Sequence, residues 1–372
     1  MQYENLDKNF MHGAINLASR GAGLTAPNPA VGCVIVNDCK VVGRGWTQPA
    51  GGEHAESIAI NNAGSLAKGS TLYVSLEPCC HHGKTAPCTD AIINAGIRKV
   101  VFSVNDPDPR VCGKGEEALK NAGIRVCKGV LEKEAYRVNY GFFKRLETGW
   151  PLFSLKFGTT NDGRLTIEQT SNRWITGSIA RRFGHMLRST HDAIIVGSKT
   201  ANIDNPQLDC RLGGNTNHFS HQPIRIVLDK SLLINENSTL VKTANELAPT
   251  WVFTAATADK KKIQLLQKKG VKVIVCKTLE NHIFCVEVAT YMGKSGLNSA
   301  LIEGGGQIAA SFFTADLIDR IYSIRAPSFS GEDGIPSVGR MPVLIDNQKF
   351  TRTDFKVLGN DVLEILERKV LN

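Results

Sequence analysis

Apolar residues recur along this chain in two rhythms that keep exchanging places, one with helical spacing and one of short continuous runs. The helical rhythm occupies residues 9–20 and stops at Gly21-Ala22-Gly23, where glycine can take the backbone conformation that ends a helix. Two apolar runs, 30–36 and 40–46, flank Asn37-Asp38 and predict a hairpin. Beyond them the pattern predicts helices at 54–62, 88–95 and 116–122, strands at 71–76, 99–105 and 124–129, and one amphipathic segment at 131–146. Glu147-Thr148-Gly149-Trp150-Pro151 then breaks the rhythm, which places a domain boundary between residues 148 and 152.

After the break the alternation resumes, with strands at 152–157, 192–196, 224–228, 251–254, 272–275 and 300–302. A basic helix at 181–188, helices at 260–269 and 284–292, and another from Gln307 fall between or after them. Runs 321–326 and 362–366 read as a terminal antiparallel ribbon, and 211–222 and 328–340 as polar loops. Alternating helices and strands imply sheets with helices packed on their faces. The expected fold is therefore α/β throughout, with one domain over 1–148 and a second over 152–372.

Composition narrows the function. Apolar residues make up 42% of the 372, and no run of about eighteen could span a bilayer. The first residues, Met1 to Asp7, lack the basic start and apolar core of a secretion signal, so a cytoplasmic protein with no membrane partner is expected. In that compartment ten cysteines are not expected to pair. Cys33, Cys39, Cys112, Cys127, Cys210, Cys276 and Cys285 read as small buried hydrophobes. The net charge of +9 is spread along the chain without a basic stripe interleaved with aromatics, and Lys260-Lys261-Lys262 reads as a solvated helix start. Such a surface suits small phosphorylated substrates and dinucleotides, and no nucleic-acid partner is expected.

Three ligand-bearing residues stand out: His54 in His54-Ala55-Glu56, Cys79 in Glu77-Pro78-Cys79, and Cys88. One imidazole and two thiolates suit a catalytic zinc that keeps its fourth position open, whereas a structural zinc normally takes a fourth protein ligand. Glu56, two residues from His54, can reach a water at that open position without binding the metal. The first half of the zinc-deaminase signature, H-x-E, is kept, while P-C-x-x-C is stretched to Cys79-x8-Cys88. Cys80 adjoins Cys79 and could stand in for it, but the Pro78-Cys79 pairing favours Cys79. Each of these residues alone is more often core than ligand; together, at this spacing, they are a specific signal. The remaining bland reading is a zinc that is bound but catalytically idle.

With Asn28-Pro29-Ala30-Val31-Gly32 upstream and a His81-x-Gly83-Lys84-Thr85 loop between the cysteines, this half resembles the deaminase half of the bifunctional riboflavin-biosynthesis deaminase/reductases. The later half resembles the reductase of the same family, a relative of dihydrofolate reductase in fold. That match rests on Lys156 with Asp162-Gly163, on Gly197-x-x-Thr200-x-x-x-Asp204-Asn205-Pro206 with Arg211, and on Leu301-Ile302-Glu303-Gly304-Gly305-Gly306. The resemblance implies a cytidine-deaminase-like α/β/α sandwich followed by a dihydrofolate-reductase-like domain. It also implies Zn2+ and NADPH as cofactors, and a phosphorylated pyrimidine substrate that is first deaminated and then reduced at its ribosyl group. Asn28, Lys84 and Asp106 would hold the pyrimidine and its sugar phosphate, with Asn172 in the reductase half.

Residue chemistry supports part of this independently. An apolar strand ending in three glycines before a helix lets backbone amides approach a phosphate. Glu303, Asp204 and Arg211 are the polar groups expected around the substrate's ribose and phosphate, although each alone reads as an ion-pair member. Lys156, Trp174, Ile175, Thr176, Gly197, Thr200 and Gly304 to Gly306 are the cofactor candidates. No G-x-G-x-x-G follows a first strand, which disfavours a Rossmann domain. Asp106 and Asp108 read equally well as turn formers.

The chain departs from the family pattern at Thr47, Ala86, Asp108, Asn161 and Asn172, and Asp108 would weaken phosphate binding by like charge. Association into a homo-oligomer is expected. Three other readings stay open: a nucleoside or nucleic-acid deaminase fused to an unrelated reductase, a zinc domain that only scaffolds a reductase, and a zinc-stapled nucleotide-binding regulator.

Overall fold

The computed structural model describes residues 2–81, 86–165, 174–212, 222–277, 281–331, 334–339 and 349–369. Its chain separates into two compact units, Met1–Gly149 and Trp150–Asn372.

The first unit runs α1 (Gln2–Ala18), β1 (Gly32–Asn37), β2 (Lys40–Trp46), α2 (Ala55–Ala63), β3 (Thr71–Leu76), α3 (Cys88–Asn94), β4 (Lys99–Val104), α4 (Lys114–Asn121), β5 (Arg125–Lys128), α5 (Glu132–Val138) and α6 (Tyr140–Thr148). Among the described residues its sheet has the order β2-β1-β3-β4-β5. The β1 pairings to β2 and β3 are antiparallel, and those of β4 to β3 and β5 are parallel. Successive strand side chains point to opposite faces, and both faces are covered. Cys33, Ile35, Leu72, Val74, Val100 and Phe102 pack with Ala55 and Ala59 of α2, Ile92 of α3 and Leu119 of α4. On the other face Val34, Val36, Tyr73 and Val101 pack with Met11 and Ala14 of α1, Ala135 of α5 and Phe142 of α6.

Two glycines on β2 set the approach of α2. A Cβ on Gly43 or Gly45 would fall 2.2 Å from the carbonyl oxygen of Ala59 or Ala55, so the helix lies closer than any side chain permits. That contact fixes where the first turn of α2, with His54 and Glu56, meets the sheet.

The hairpin turns one residue later than the pattern predicts. Asn37 still pairs with Lys40, and the central residues are Asp38 (φ 46°) and Cys39 (φ 60°), both left-handed as a two-residue turn between twisted strands requires. Cys39 is therefore exposed, as are Cys112 and Cys127, while Cys33, Cys210, Cys276 and Cys285 are buried as expected. The segment 131–146 is two helices, not one. It breaks at Asn139 (φ −105°, ψ 15°), whose buried amide is hydrogen-bonded elsewhere in the unit.

The second unit begins with β6 (Leu152–Thr159), α7 (Ser178–Ser189), β7 (Ala193–Gly197), α8 (Ser198–Asp204), β8 (Ile224–Leu228), α9 (Thr239–Lys242) and β9 (Thr250–Ala255). It continues through α10 (Lys260–Lys268), β10 (Lys272–Cys276), α11 (Asn281–Lys294), β11 (Ser299–Ile302), α12 (Gly306–Thr314), β12 (Arg320–Arg325), β13 (Phe350–Leu358) and β14 (Asp361–Arg368). Among the described residues the sheet order is β10-β9-β8-β7-β11-β6-β12-β14-β13, parallel from β10 to β12 and antiparallel at β14 and β13. Along β7, Ala193 and Ile195 face a core with Val288 of α11 and Phe312 of α12. Ile194 and Val196 face another core with Leu240 of α9 and Leu266 of α10.

The terminal ribbon is larger than expected. β14 pairs with β12 on one side and β13 on the other, and β13 has mostly exposed positions that gave no apolar signal. No helix among the described residues is long and apolar enough to cross a membrane.

Candidate active sites

In the first unit the sheet topology gathers four loops at one edge. Antiparallel pairing puts the start of β1 beside the end of β3, where the Gly32 N–H donates to Ser75 Oγ at 3.1 Å. The ends of β3 and β4 align because those strands are parallel. The loop carrying Asn28, the β2–α2 connection with His54, the β3–α3 connection with Cys79 and the loop after β4 with Asp106 therefore emerge together.

His54 caps the start of α2 and Cys88 opens α3, while Cys79 sits in the loop after β3 and not on a helix. His54 Nδ1 lies 3.2 Å from Cys88 Sγ and 3.5 Å from Cys79 Sγ, and the three ligand atoms all fall within 4.8 Å of one another. Cys80 Sγ is instead directed to the Arg110 carbonyl at 3.7 Å, outside that cluster.

Electrostatics here match a soft cation. Cys79 accepts a hydrogen bond from the Cys88 thiol, which outweighs burial and lowers its pKa to about 4. That same bond and burial hold Cys88 protonated. The His54 pKa is raised by its hydrogen bond to Cys79. A thiolate, a thiol poised beside it and an imidazole nitrogen on the same point form a donor set that suits zinc, with one coordination position left over.

Glu56 lies in the first turn of α2 and is 4% exposed. Burial first, and then the Cys79 charge, push its pKa up to about 7 against the opposing pull of His54. Asp106, also buried, is raised to about 6 chiefly by desolvation. Its carboxylate accepts from the Asp108 N–H at 2.9 Å, so the turn-forming reading holds too. Asp108 is paired with Arg110 at 2.5 Å, which lowers its pKa and neutralises locally the charge expected to repel a phosphate.

Asn28 is half-buried, and its N–H donates to the Thr25 carbonyl at 2.9 Å. Lys84 lies outside the described residues, as does Asn172. Sequence reasoning missed Glu77 as a bonding centre. Its carboxylate accepts from the N–H groups of Asp106 (3.3 Å), Gly113 (3.1 Å) and Glu116 (3.1 Å), tying the Cys79 loop to the Asp106 loop and α4. A glutamate at the end of an otherwise apolar strand was the available signal.

In the second unit, parallel β6, β7 and β11 end side by side, and the helix starts of α8 and α12 follow at that edge. Gly197 precedes α8 and Gly305 precedes α12, with α12 starting one residue before the expected Gln307. A Cβ on Gly197 or Gly304 would sit 3.0 Å from Ile308, and one on Gly305 would sit 3.8 Å from Thr200 Oγ1. The fold thus brings Gly197, Thr200, Gly304, Gly305 and Gly306 together. Trp174 is 55% exposed under the Arg181 guanidinium, and Ile175 follows it in the same segment. Thr176 lies against Gly158 of β6.

Glu303 is not an open group awaiting a ribose. Arg188 grips it with Nε and Nη2 at 2.8 and 2.9 Å, and Lys156 stands 3.9 Å away. Burial raises its pKa, but the Arg188 and Lys156 charges overcome that and bring it down to about 2. Arg188 also donates to the Asp209 carbonyl at 2.9 Å, and Arg211 Nε reaches the buried Asp209 carboxylate at 3.3 Å. Sequence reasoning noticed only a basic helix here, although Arg181, His185 and Arg188 share one helical face by their spacing. Asp204 is exposed at the end of α8 opposite Gly197.

Comparison with known proteins covers both units. Residues 151–363 match the family model described as the RibD C-terminal domain, and residues 4–104 the cytidine and deoxycytidylate deaminase zinc-binding region. The riboflavin biosynthesis protein RibD of Bacillus amyloliquefaciens is 40% identical over 333 residues, spanning 90% of this chain and 88% of that protein. RibD of Escherichia coli is 37% identical over 366 residues, spanning 96% and 98%. Among solved structures, Acinetobacter baumannii RibD superposes with a TM-score of 0.86 at 34% identity over 99% of this chain and 100% of that one. A Thermotoga maritima diaminohydroxyphosphoribosylaminopyrimidine deaminase/5-amino-6-(5-phosphoribosylamino)uracil reductase gives 0.85 at 30% identity, with the same coverage.

Proposed function

The chain belongs to the RibD family of bifunctional riboflavin-biosynthesis deaminase/reductases, and from that premise we propose which residues carry each half-reaction. It is an enzyme with zinc and NADPH as cofactors, a deaminase in its N-terminal unit and a reductase in its C-terminal unit. The substrate is 2,5-diamino-6-(5-phosphoribosylamino)pyrimidin-4-one. It loses its 2-amino group to water and is then reduced at the ribosyl group to 5-amino-6-(5-phosphoribitylamino)uracil.

His54, Cys79 and Cys88 would hold the zinc, which when bound acts as a Lewis acid that makes water nucleophilic near neutral pH. Glu56 takes one proton from the attacking water and gives it to the ring nitrogen beside the amino-bearing carbon, then takes the second from the hydroxyl of the carbon adduct and gives it to the amino group, which leaves as ammonia as the carbonyl forms. A carboxyl with a pKa of about 7 suits both halves of that transfer. Asn28, Lys84 and Asp106 orient the pyrimidine and its phosphorylated sugar.

In the reductase half NADPH supplies hydride. Gly197, Thr200 and Gly304 to Gly306 offer backbone amides and a hydroxyl at two helix starts for the cofactor, with Lys156, Trp174, Ile175 and Thr176 flanking it. Glu303 and Arg188 act as a paired fixed charge beside Arg211, with Asn172 and Asp204 completing the polar surroundings of the substrate. A carboxyl with a pKa of about 2 carries no proton to donate at neutral pH, so Glu303 positions groups and does not serve as the acid.

One observation carries this reading: the three-ligand cluster with Glu56 buried directly beside it. The test is ammonia release from the diaminopyrimidinone in the absence of NADPH, comparing zinc-loaded wild type with Glu56→Ala. Release that collapses while zinc stays bound supports the assignment; release that persists removes Glu56 from the chemistry. A cytoplasmic, self-associating protein belongs to the same reading. Phe355 and Val357, 52% and 68% exposed on the edge strand β13, support the self-association, which sedimentation velocity tests.

A further inference from the structure

The break between α5 and α6 has a partner 109 residues away in sequence, in the loop before β1. Asn139 is 4% exposed, and its side chain exchanges two hydrogen bonds with one residue of the Asn28 loop. The Ala30 N–H donates to Asn139 Oδ1 at 2.8 Å, and Asn139 Nδ2 donates to the Ala30 carbonyl at 2.8 Å. An amide side chain thus copies one rung of a strand ladder, satisfying both backbone groups of residue 30 away from water. Six residues on, Arg145 Nη2 donates to the Pro27 carbonyl at 2.7 Å. Just past the end of β2, Thr47 closes the clamp, its N–H donating to the Val31 carbonyl at 2.9 Å and its Oγ1 accepting from the Val31 N–H at 3.1 Å. Backbone atoms of residues 27, 30 and 31 are held from outside the loop, so the place of Asn28 between them is dictated by the clamp.

We propose that Asn139 and Arg145 are positioning residues of the deaminase, holding the loop 25–31 so that Asn28 meets the pyrimidine in register. The inference rests on the reading that Asn28 contacts that ring. Both residues lie beyond the zinc-binding region matched at residues 4–104, so the helical tail of the first unit becomes part of its substrate site. A loop fixed before binding spares the substrate the cost of ordering it, which acts on KM. The ligands and Glu56 come from other segments of the chain and are left in place, so kcat and zinc content do not follow.

The experiment uses the full-length, zinc-loaded protein and reads KM and kcat of ammonia release for Asn28→Ala, Asn139→Ala, Arg145→Met and Arg145→Lys. Zinc content and the NADPH-dependent rate on the deaminated compound are measured on the same samples. We expect KM to rise about tenfold in Asn139→Ala and about threefold in Arg145→Met, the scale of one or two lost hydrogen bonds, with kcat within about twofold. Arg145→Lys, which keeps a donor, restores KM. If Asn28→Ala raises KM while neither the Asn139 nor the Arg145 variant does, the positioning role is wrong and the site reading survives. If Asn28→Ala itself leaves KM unchanged, the underlying reading fails instead. A fall in kcat that tracks zinc loss reduces the clamp to a structural contact and overturns the proposal. Should Asn139→Ala not fold, the half-buried Arg145 pair decides alone.

Discussion

Glu56 and Glu303 are the same side chain in two nearly water-free places, 4% exposed as a residue and 9% exposed as a side chain respectively. Yet their protons behave in opposite ways. Around Glu56 burial dominates and the thiolate of Cys79 outweighs the opposing His54 charge, so its pKa climbs to about 7. Around Glu303 an arginine with two hydrogen bonds and a lysine reverse the same burial penalty and bring it to about 2. Burial alone therefore does not say what a carboxylate is for. The sign of its neighbours decides whether it moves protons or serves as a fixed charge.

Metal removal should separate the two centres most sharply. Among the described residues the three-ligand cluster occurs once, in the first unit. Stripping zinc with a chelator should lower ammonia release by more than about a thousandfold, since the Lewis acid and its water go together. NADPH consumption on the deaminated compound should stay within about twofold, because the hydride of that step comes from NADPH. Loss of both activities would mean that the comparison between an independent metal centre and an independent ion-pair centre is wrong.

Breaking the ion pair comes next in size. Arg188→Met leaves the Glu303 carboxylate buried with only Lys156 at 3.9 Å, a change that should cost about 3 to 5 kcal/mol in denaturant unfolding of the second unit. The double variant Arg188→Met, Glu303→Leu should recover most of it, because removing both charges leaves none uncompensated. The corresponding Glu56→Gln change, which breaks no ion pair with an arginine or lysine, should cost far less.

A pH series sharpens the contrast further. Folding lowers the Glu303 pKa from 4.5 to about 2. The group's contribution is therefore fully present above about pH 4.5 and is lost as pH falls towards 2. The shift corresponds to about 3 kcal/mol. Glu303→Gln should flatten the acid limb of the stability curve in that window and leave the limb above pH 5 parallel to wild type. An unchanged slope between pH 4.5 and 2 would show that Glu303 is not the charge the pair depends on.

How much of this was legible beforehand differs between the centres for a physical reason. Zinc chemistry needs fixed residue types at short spacings, so His54, Glu56, Cys79 and Cys88 could be read from the chain. The strand at Thr71–Leu76, a continuous apolar run between turn signals, was read to the residue. The Arg188–Glu303 pair joins positions 115 residues apart, and no local pattern announces that a helix face will meet a strand end. Asn139 was hidden for a related reason: in an amphipathic stretch a polar residue reads as a solvent position, and only its buried bonds to Ala30 show otherwise. β13 escaped because an edge strand with most side chains in water carries no apolar rhythm.

The smallest expected effect is the most discriminating for the cofactor. Lys156 was read as a cofactor contact, and the fold also places it 3.9 Å from Glu303 with its side chain 24% exposed. As a member of the ion pair it stands outside the two hydrogen bonds that Arg188 makes, and an ammonium at that distance and exposure contributes about 0.5 to 1 kcal/mol. Lys156→Met should therefore lower the stability of the second unit by no more than that, well below Arg188→Met. If Lys156 also meets NADPH, the same variant should raise the KM for NADPH about tenfold while ammonia release is untouched, since a charged donor lost from an anionic ligand costs about 1.5 kcal/mol or more. A stability loss without any change in KM for NADPH would make Lys156 a spectator of the cofactor and leave it only as a second cation for Glu303. A KM effect that disappears when Glu303→Gln is added would mean that Lys156 acts through the carboxylate and not on the nucleotide directly.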